Sequence, residues 1–262
     1  MVKKALRREN IWLNDVSLRD VDARIINVRL IEEADALDLS FAQMAGRSGR
    51  MALARRAVSK KIGVEFMARE LYDLAARTAI CDAVNAWADV GGELRCSTRP
   101  EQVIRLVTTG YASAGDIREY TAALRLDFET AAVPAWESDT PATYTATGTT
   151  GSGQIAVGGN AETWADVKIT SRTAILTSAS VTFGGSTITI EGFELASGYA
   201  LSLWHDEHGI LRATSAMPPY HYLPFRTRES ADDLTGGPGV VPVSFTANTA
   251  CDVIISARGR YL

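Results

Sequence analysis

The sequence predicts a mainly β chain of two domains. The first is an α+β N-terminal β-sandwich with one helix and a long hairpin arm, and the second is an all-β C-terminal sandwich. Three observations carry this. Apolar residues alternate with polar ones in short runs along most of the chain, as in half-buried strands. Only residues 69–89 repeat their apolar positions at helical spacing. Charge is also unevenly spread: residues 1–139 hold 20 Lys and Arg against 21 Asp and Glu, and residues 140–262 hold 7 against 10. The composition changes at ESDTPATYTATGTTGSG (137–153), where Thr, Ser and Gly replace acids without a hydrophobic period. Residues 140–153 therefore read as a linker between domains 1–139 and 154–262.

In the first domain, IWLNDVSL (11–18) sets Asn-Asp between two apolar runs, a tight hairpin. Ile26, Val28 and Leu30 then share a face, and Leu37, Leu39 and Phe41 continue the alternation beyond an acidic interruption. AGRSGR (45–50) supplies a glycine turn, and Ile62, Val64 and Phe66 line one face of the return limb. Each limb of about 12 residues would span roughly 40 Å at strand rise. The outgoing limb carries Glu32, Glu33, Asp35 and Asp38, and the returning limb carries Arg55, Arg56, Lys60 and Lys61. So polar a tip cannot lie inside its own small domain, and two facing signs suit contact between like subunits. The basic run 47–61 could also grip phosphates. Phe66 is its first aromatic, however, acids stand opposite it, and the net charge is −4, so nucleic-acid binding is not expected.

A helix is expected from Arg69 to Asp89, with Tyr72, Ala76, Ala79, Ile80, Ala83, Val84 and Trp87 as its apolar stripe and Gly91–Gly92 as its end. GELRCS, VIRLV and EYTAALRLDFE (119–129) read as strands. In the second domain the candidate strands are 164–169, 174–176, 180–183, 186–193, 199–205, 209–213, 240–245 and 251–259. Turn signals separate them at Gly184–Gly185, at 206–209, at 236–239 and at Asn248.

The sequence contains no GxSxG, P-loop, GxGxxG, HExxH or EF-hand spacing. The cluster His205-Asp206-Glu207-His208 reads as a polar turn or, less readily, as metal ligands lacking a third convergent partner. His221 has no Ser or Cys motif beside it, and Cys81, Cys96 and Cys251 read as buried thiols. No enzyme, cofactor or metal site is expected. No apolar run approaches the ~20 residues of a membrane helix. The start MVKKALRRENIWL lacks the apolar core of a signal peptide, so synthesis in the cytosol without membrane insertion is expected. A different reading of the second domain is a carbohydrate-binding module with Trp164 or Trp204 as stacking platform. The segment 214–239 is long enough to dock a partner.

The order of elements is a hairpin, a charged hairpin arm, the helix LYDLAARTAICDAVNAWADVGG, strands, a Thr/Gly stretch, and an all-β domain ending in ISARGRYL. It resembles the distal tail (Dit) proteins of siphovirus-like bacteriophages. The resemblance implies a homohexameric ring built by the N-terminal domain, with residues 22–66 as the arm that embraces the next subunit. Such a ring would join the tail tube protein to the tail-tip hub or tail-associated lysin at the virion's baseplate, and would seat a receptor-binding protein. It further implies a galectin-like C-terminal sandwich at the periphery. The His–Asn–Arg cluster of a sugar-binding galectin is not recognisable, so carbohydrate binding does not follow from that fold.

Overall fold

The computed structural model describes residues 9–33, 36–43, 50–114, 122–206 and 209–262, with backbone alone at 36–43, 50–58 and 122. Two compact units divide the chain, Met1–Trp136 and Glu137–Leu262.

The first unit opens with β1 (Ile11–Leu13) and β2 (Val16–Ser17). Asn14 and Asp15, at φ 50° and 65°, make the two-residue turn between them. Positive φ at both turn residues matches the natural twist of a hairpin, and Asn and Asp tolerate it. There follow a one-turn helix α1 (Leu18–Val21), β3 (Ile25–Glu32), β4 (Ala36–Gln43), β5 (Arg50–Ser59), β6 (Lys61–Ala68), α2 (Leu74–Ala88), β7 (Gly92–Cys96), β8 (Arg99–Gly110) and β9 (Ala122–Thr130). Seven of its strands run antiparallel in one sheet in the order β2-β1-β7-β8-β9-β6-β3. Its core is the alternating set Ile62, Val64, Phe66, Leu124, Leu126 and Phe128 from neighbouring strands. Each such side chain contributes about 1.5–3 kcal/mol on burial. An irregularity between Ile25 and Asn27 shifts the phase of β3. Ile25 and Val28 are therefore buried, while Ile26 and Leu30 are only half-buried.

α2 begins at Leu74 and not at Arg69. The Asp73 carboxylate accepts the Ala76 N–H at 2.7 Å and sets the cap there. Tyr72 precedes that cap and is exposed, and the buried face is Ile80, Cys81, Val84 and Ala88. Gly91 ends the helix at φ 63°, its N–H on the Ala88 carbonyl. A β-carbon there would stand 2.5 Å from the Leu106 carbonyl oxygen, so glycine is required.

β10 (Trp136–Ser138) straddles the unit boundary. The second unit then corrects the linker reading of 140–153, because those residues lie largely within strand β11 (Ala142–Val157). Thr is a good strand former, and here it alternates with small residues, a period too weakly apolar to stand out in the sequence. The glycines serve packing: a β-carbon on Gly151 would lie 2.4 Å from the Phe245 ring, and one on Gly153 2.4 Å from the Tyr144 ring.

After β11 come β12 (Thr163–Ser171), β13 (Leu176–Phe183), β14 (Ser186–Leu195), β15 (Ala200–His205), β16 (Leu211–Thr214), β17 (Thr235–Gly236), β18 (Gly239–Ala257) and β19 (Arg260–Tyr261). Of the run expected at 174–176 only Leu176 is in a strand, the start of β13, which also takes in the run at 180–183. Those at 240–245 and 251–259 fall in β18, which runs through Asn248. Asn248 marks a corner and not an end. The register of β11 against β18 jumps between Gly148↔Cys251 and Thr150↔Thr246. There the Asn248 carboxamide accepts the Thr177 and Ser178 N–H groups and donates to the Ile175 carbonyl. On either side of the corner β11 and β18 belong to different leaves. One runs β11-β18-β13-β14 and the other β11-β18-β12-β15-β16. The leaves enclose one core that includes Val167, Phe183, Ile190, Leu203, Phe245 and Ile255.

A linker would tolerate bulk at residue 153, and a packed strand does not. Gly153→Val is expected to cost about 1–3 kcal/mol by overpacking. Urea denaturation should show that loss, while Gly237→Val, where a β-carbon meets nothing within 4 Å, stays near the parent.

Candidate functional site

The arm is a continuation of two sheet strands. β3 and β6 pair from Ile25↔Ala68 to Glu32↔Ile62, and β4 and β5 pair from Ala36↔Ser59 to Gln43↔Arg50. Among the described residues β4 and β5 pair with no other strand, so the ribbon leaves its sheet. Its register sets Asp38 opposite Arg56 and Leu39 opposite Arg55. Asp35 and the turn residues 44–49 lie outside the described residues, and at Asp38, Arg55 and Arg56 only the backbone is described.

At the root the side chains are in view, and they separate the expected interface residues into two groups. Lys60 is only 4% exposed. Its ammonium lies 3.5 Å from the Glu32 carboxylate, which also takes Arg99 at 3.0 Å. The backbone of Lys60 exchanges hydrogen bonds with Thr130, through Oγ1 and through N–H, each at 3.0 Å. Glu33 pairs with Arg125 at 2.5 Å, and Arg125 also reaches Asp127. Gly63 makes room for this, since a β-carbon there would stand 2.8 Å from the Arg125 guanidinium. Glu32, Glu33 and Lys60 thus have partners within their own chain and brace the arm. Lys61 is exposed and sits across from Glu129. The Arg125 pairs are largely solvated and contribute about 0–1 kcal/mol each. The buried ammonium of Lys60 matters more, because stripping its partner strands a charge in a dry place.

In the second unit five sequence-distant segments build an ionic cluster. His205 at the end of β15 is buried. Its Nδ1 lies 3.0 Å from Asp166 Oδ1 and its Nε2 2.7 Å from Asp233 Oδ1. The ring stacks on Trp164, centroids 4.4 Å apart, and the Arg260 guanidinium lies 3.4 Å from the Trp164 ring centroid. Arg260 is itself buried against Glu137, Nε to Oε1 3.2 Å, and gives Nη1 to the Glu162 carbonyl. Burial disfavours the charged form of His205, but the hydrogen bonds and charges of Asp166 and Asp233 together outweigh it, so its pKa is raised above 6.5. Both ring nitrogens are committed to carboxylates. Neither is free to bind a metal or take a substrate's proton.

Asp206 turns the chain, accepting the Ile210 N–H and pairing with Arg212 at 2.7 Å, while Glu207 and His208 lie outside the described residues. Of the two candidate platforms, Trp164 gives its ring to His205 and Arg260. Trp204 is 41% exposed and donates Nε1–H to Thr214 Oγ1. Cys81, Cys96 and Cys251 are buried and in no disulfide. The segment expected to be a docking loop is stitched into the sandwich. Tyr222 is fully buried, its N–H on the Ala213 carbonyl. The N–H groups of Thr227 and Ala231 bond to the carbonyls of Thr189 and Thr187 on β14. The stack of Trp164 on His205 and the bonds to β14 were not legible locally, since those partners lie tens of residues apart.

No family model matches the sequence, and no curated protein matches it. Among solved structures the chain is similar to SPP1 Dit (gp 19.1), whose structure is described as a paradigm of the hub adsorption apparatus in phages infecting Gram-positive bacteria. The TM-score is 0.68 at 12% identity, over 97% of this chain and 99% of that one. Two structures of the phage p2 baseplate in its activated conformation, with Sr and with Ca, align over 97% of this chain and 98% of theirs. Their TM-scores are 0.47, at 9% and 10% identity. The chain therefore has a Dit-like fold throughout both units.

A histidine whose pKa is raised on folding stabilises the fold fully below pH 6.5 and loses that contribution as pH rises through the folded value. The urea midpoint of the second unit is expected to fall from pH 6.5 upward, and His205→Gln should flatten that slope. An unchanged slope in the variant would assign the effect elsewhere.

Proposed function

We propose that the chain is a structural protein of a phage tail tip. In this reading it is a distal tail, or baseplate hub, subunit whose homohexameric ring joins the tail tube protein to the tail-tip hub or tail-associated lysin. It seats host-recognition parts there, has no catalytic role, and resides in the virion after synthesis in the host cytoplasm. One observation carries this reading: the likeness to SPP1 Dit spans both units and nearly the full length of each chain. A shared fold alone does not fix function. The support from the chain itself is the ribbon β4–β5, which departs from its sheet with acidic and basic limbs side by side.

The ring would close through heterologous contacts, in which the arm of one copy meets a different patch on the next. The proposed joint is Asp35, Asp38, Arg55, Arg56 and Lys61, of which Lys61 is exposed. Glu32, Glu33 and Lys60 act behind it as the brace. Charge steering between subunits suits such an arm, and it should weaken as salt is raised.

The parent chain is expected to sediment as a particle of about six subunits. Arg55→Glu, Arg56→Glu and Lys61→Glu together should keep the parent's circular dichroism and lose that assembly. Lys60 is left intact because reversing a buried ammonium would test folding instead. A triple variant with the parent's mass would show that the arm is not the joint.

A further inference from the structure

Three strands border the two leaves of the second unit, and two of them are covered. Along β14 the segment 226–231 supplies the Thr227 and Ala231 N–H groups and the Arg226 bridge to Ile190. Along β16 the segment 215–222 supplies the Tyr222 N–H to the Ala213 carbonyl and the His221 bridge to Thr214. The third border is β11, which among the described residues pairs with β18 and with no other strand. An open edge presents a row of unpaired backbone N–H and C=O groups. Proteins usually blunt such an edge with charge, proline or a bulge. Here Pro141 stands before the segment Ala142–Gly148 and the register break at Gly148/Thr150 follows it. Between those two stops there is no charged residue.

The side chains indicate what fits. Around Thr145 the segment ATYTATG is nearly symmetric. Thr143 and Thr147 flank it on the exposed face, and Tyr144 and Ala146 flank it on the face turned to the core. Consider a second copy laid antiparallel about a two-fold axis at Thr145. Thr143 then faces Thr147, Thr145 faces its counterpart, and each Tyr144 faces an Ala146. Cross-strand Thr pairs are favourable, the large ring meets a small residue, and no like charges oppose. A two-fold contact must be self-complementary, and this segment is.

We propose that Ala142–Gly148 is a self-pairing edge through which two copies of this chain join, carrying the leaf across the interface. The inference stands on the strand edge alone and does not rest on the ring.

Cysteine cross-linking of the full chain tests the register. Directly opposed residues of an antiparallel pair lie about 4.5–5.5 Å apart at Cα, within the roughly 4.4–6.8 Å that a disulfide spans. Thr145→Cys is expected to yield a covalent dimer on mild oxidation, which a reductant reverses. Thr147→Cys alone is not, but Thr143→Cys and Thr147→Cys chains mixed together are. The parent is the blank, since Cys81, Cys96 and Cys251 are buried. Failure of Thr145→Cys to cross-link overturns the proposal, as does equal cross-linking by Thr147→Cys alone. Either result leaves the mass of the arm variants, and so the ring, to be judged separately.

Discussion

A lone two-stranded ribbon is marginal in water, so an arm of this kind has to be held at its base. The ladder between β3 and β6 does this. β6 is hydrogen-bonded on both sides, to β3 and to β9, with Ile62, Val64 and Phe66 sealed on the inner face. Beyond that ladder the ribbon has no third strand among the described residues. The ions at the junction follow from the same constraint. Where apolar cover thins out, Glu32 receives the buried Lys60 ammonium and Thr130 holds the Lys60 backbone. The outer Arg125 pairs fix direction more than they add stability.

In the second unit the corresponding constraint is a buried cation. Arg260 is desolvated, which pushes its guanidinium below the ordinary value, with Glu137 opposing that shift. Its Nη2 finds no hydrogen-bond partner among the described residues. The Trp164 face offsets part of that loss, since a desolvated cation–π contact is worth about 2 kcal/mol. Trp164 in turn positions His205, so a tryptophan that looks like a ligand platform in the sequence has a duty to its own chain.

The legible and illegible parts of the sequence separate along physical lines. Strong apolar alternation gave away β3, β6, β9, β12 and β14, and the Asn-Asp turn and Gly91 were readable because each needs a backbone that few residues accept. β11 was missed because threonine and alanine alternate almost without hydrophobic contrast. The corner at Asn248 looked like a strand end, since a side chain that caps a neighbouring strand leaves the same composition as a turn. The charge pattern of the arm was visible, but not that Lys60 belongs inside, because its ammonium meets Glu32 and its backbone meets Thr130 only through the fold. The His205 cluster was out of reach for the same reason, as Asp166, Asp233 and Arg260 approach only through the fold.

β18 has a mechanical meaning as well. It and β11 are shared by both leaves of the sandwich, with Asn248 clamped at the bend. Sliding one leaf over the other would have to tear the common spine and not merely separate two packed faces. Load applied along that spine is met by many rungs in shear at once, so the unit resists traction as a single block.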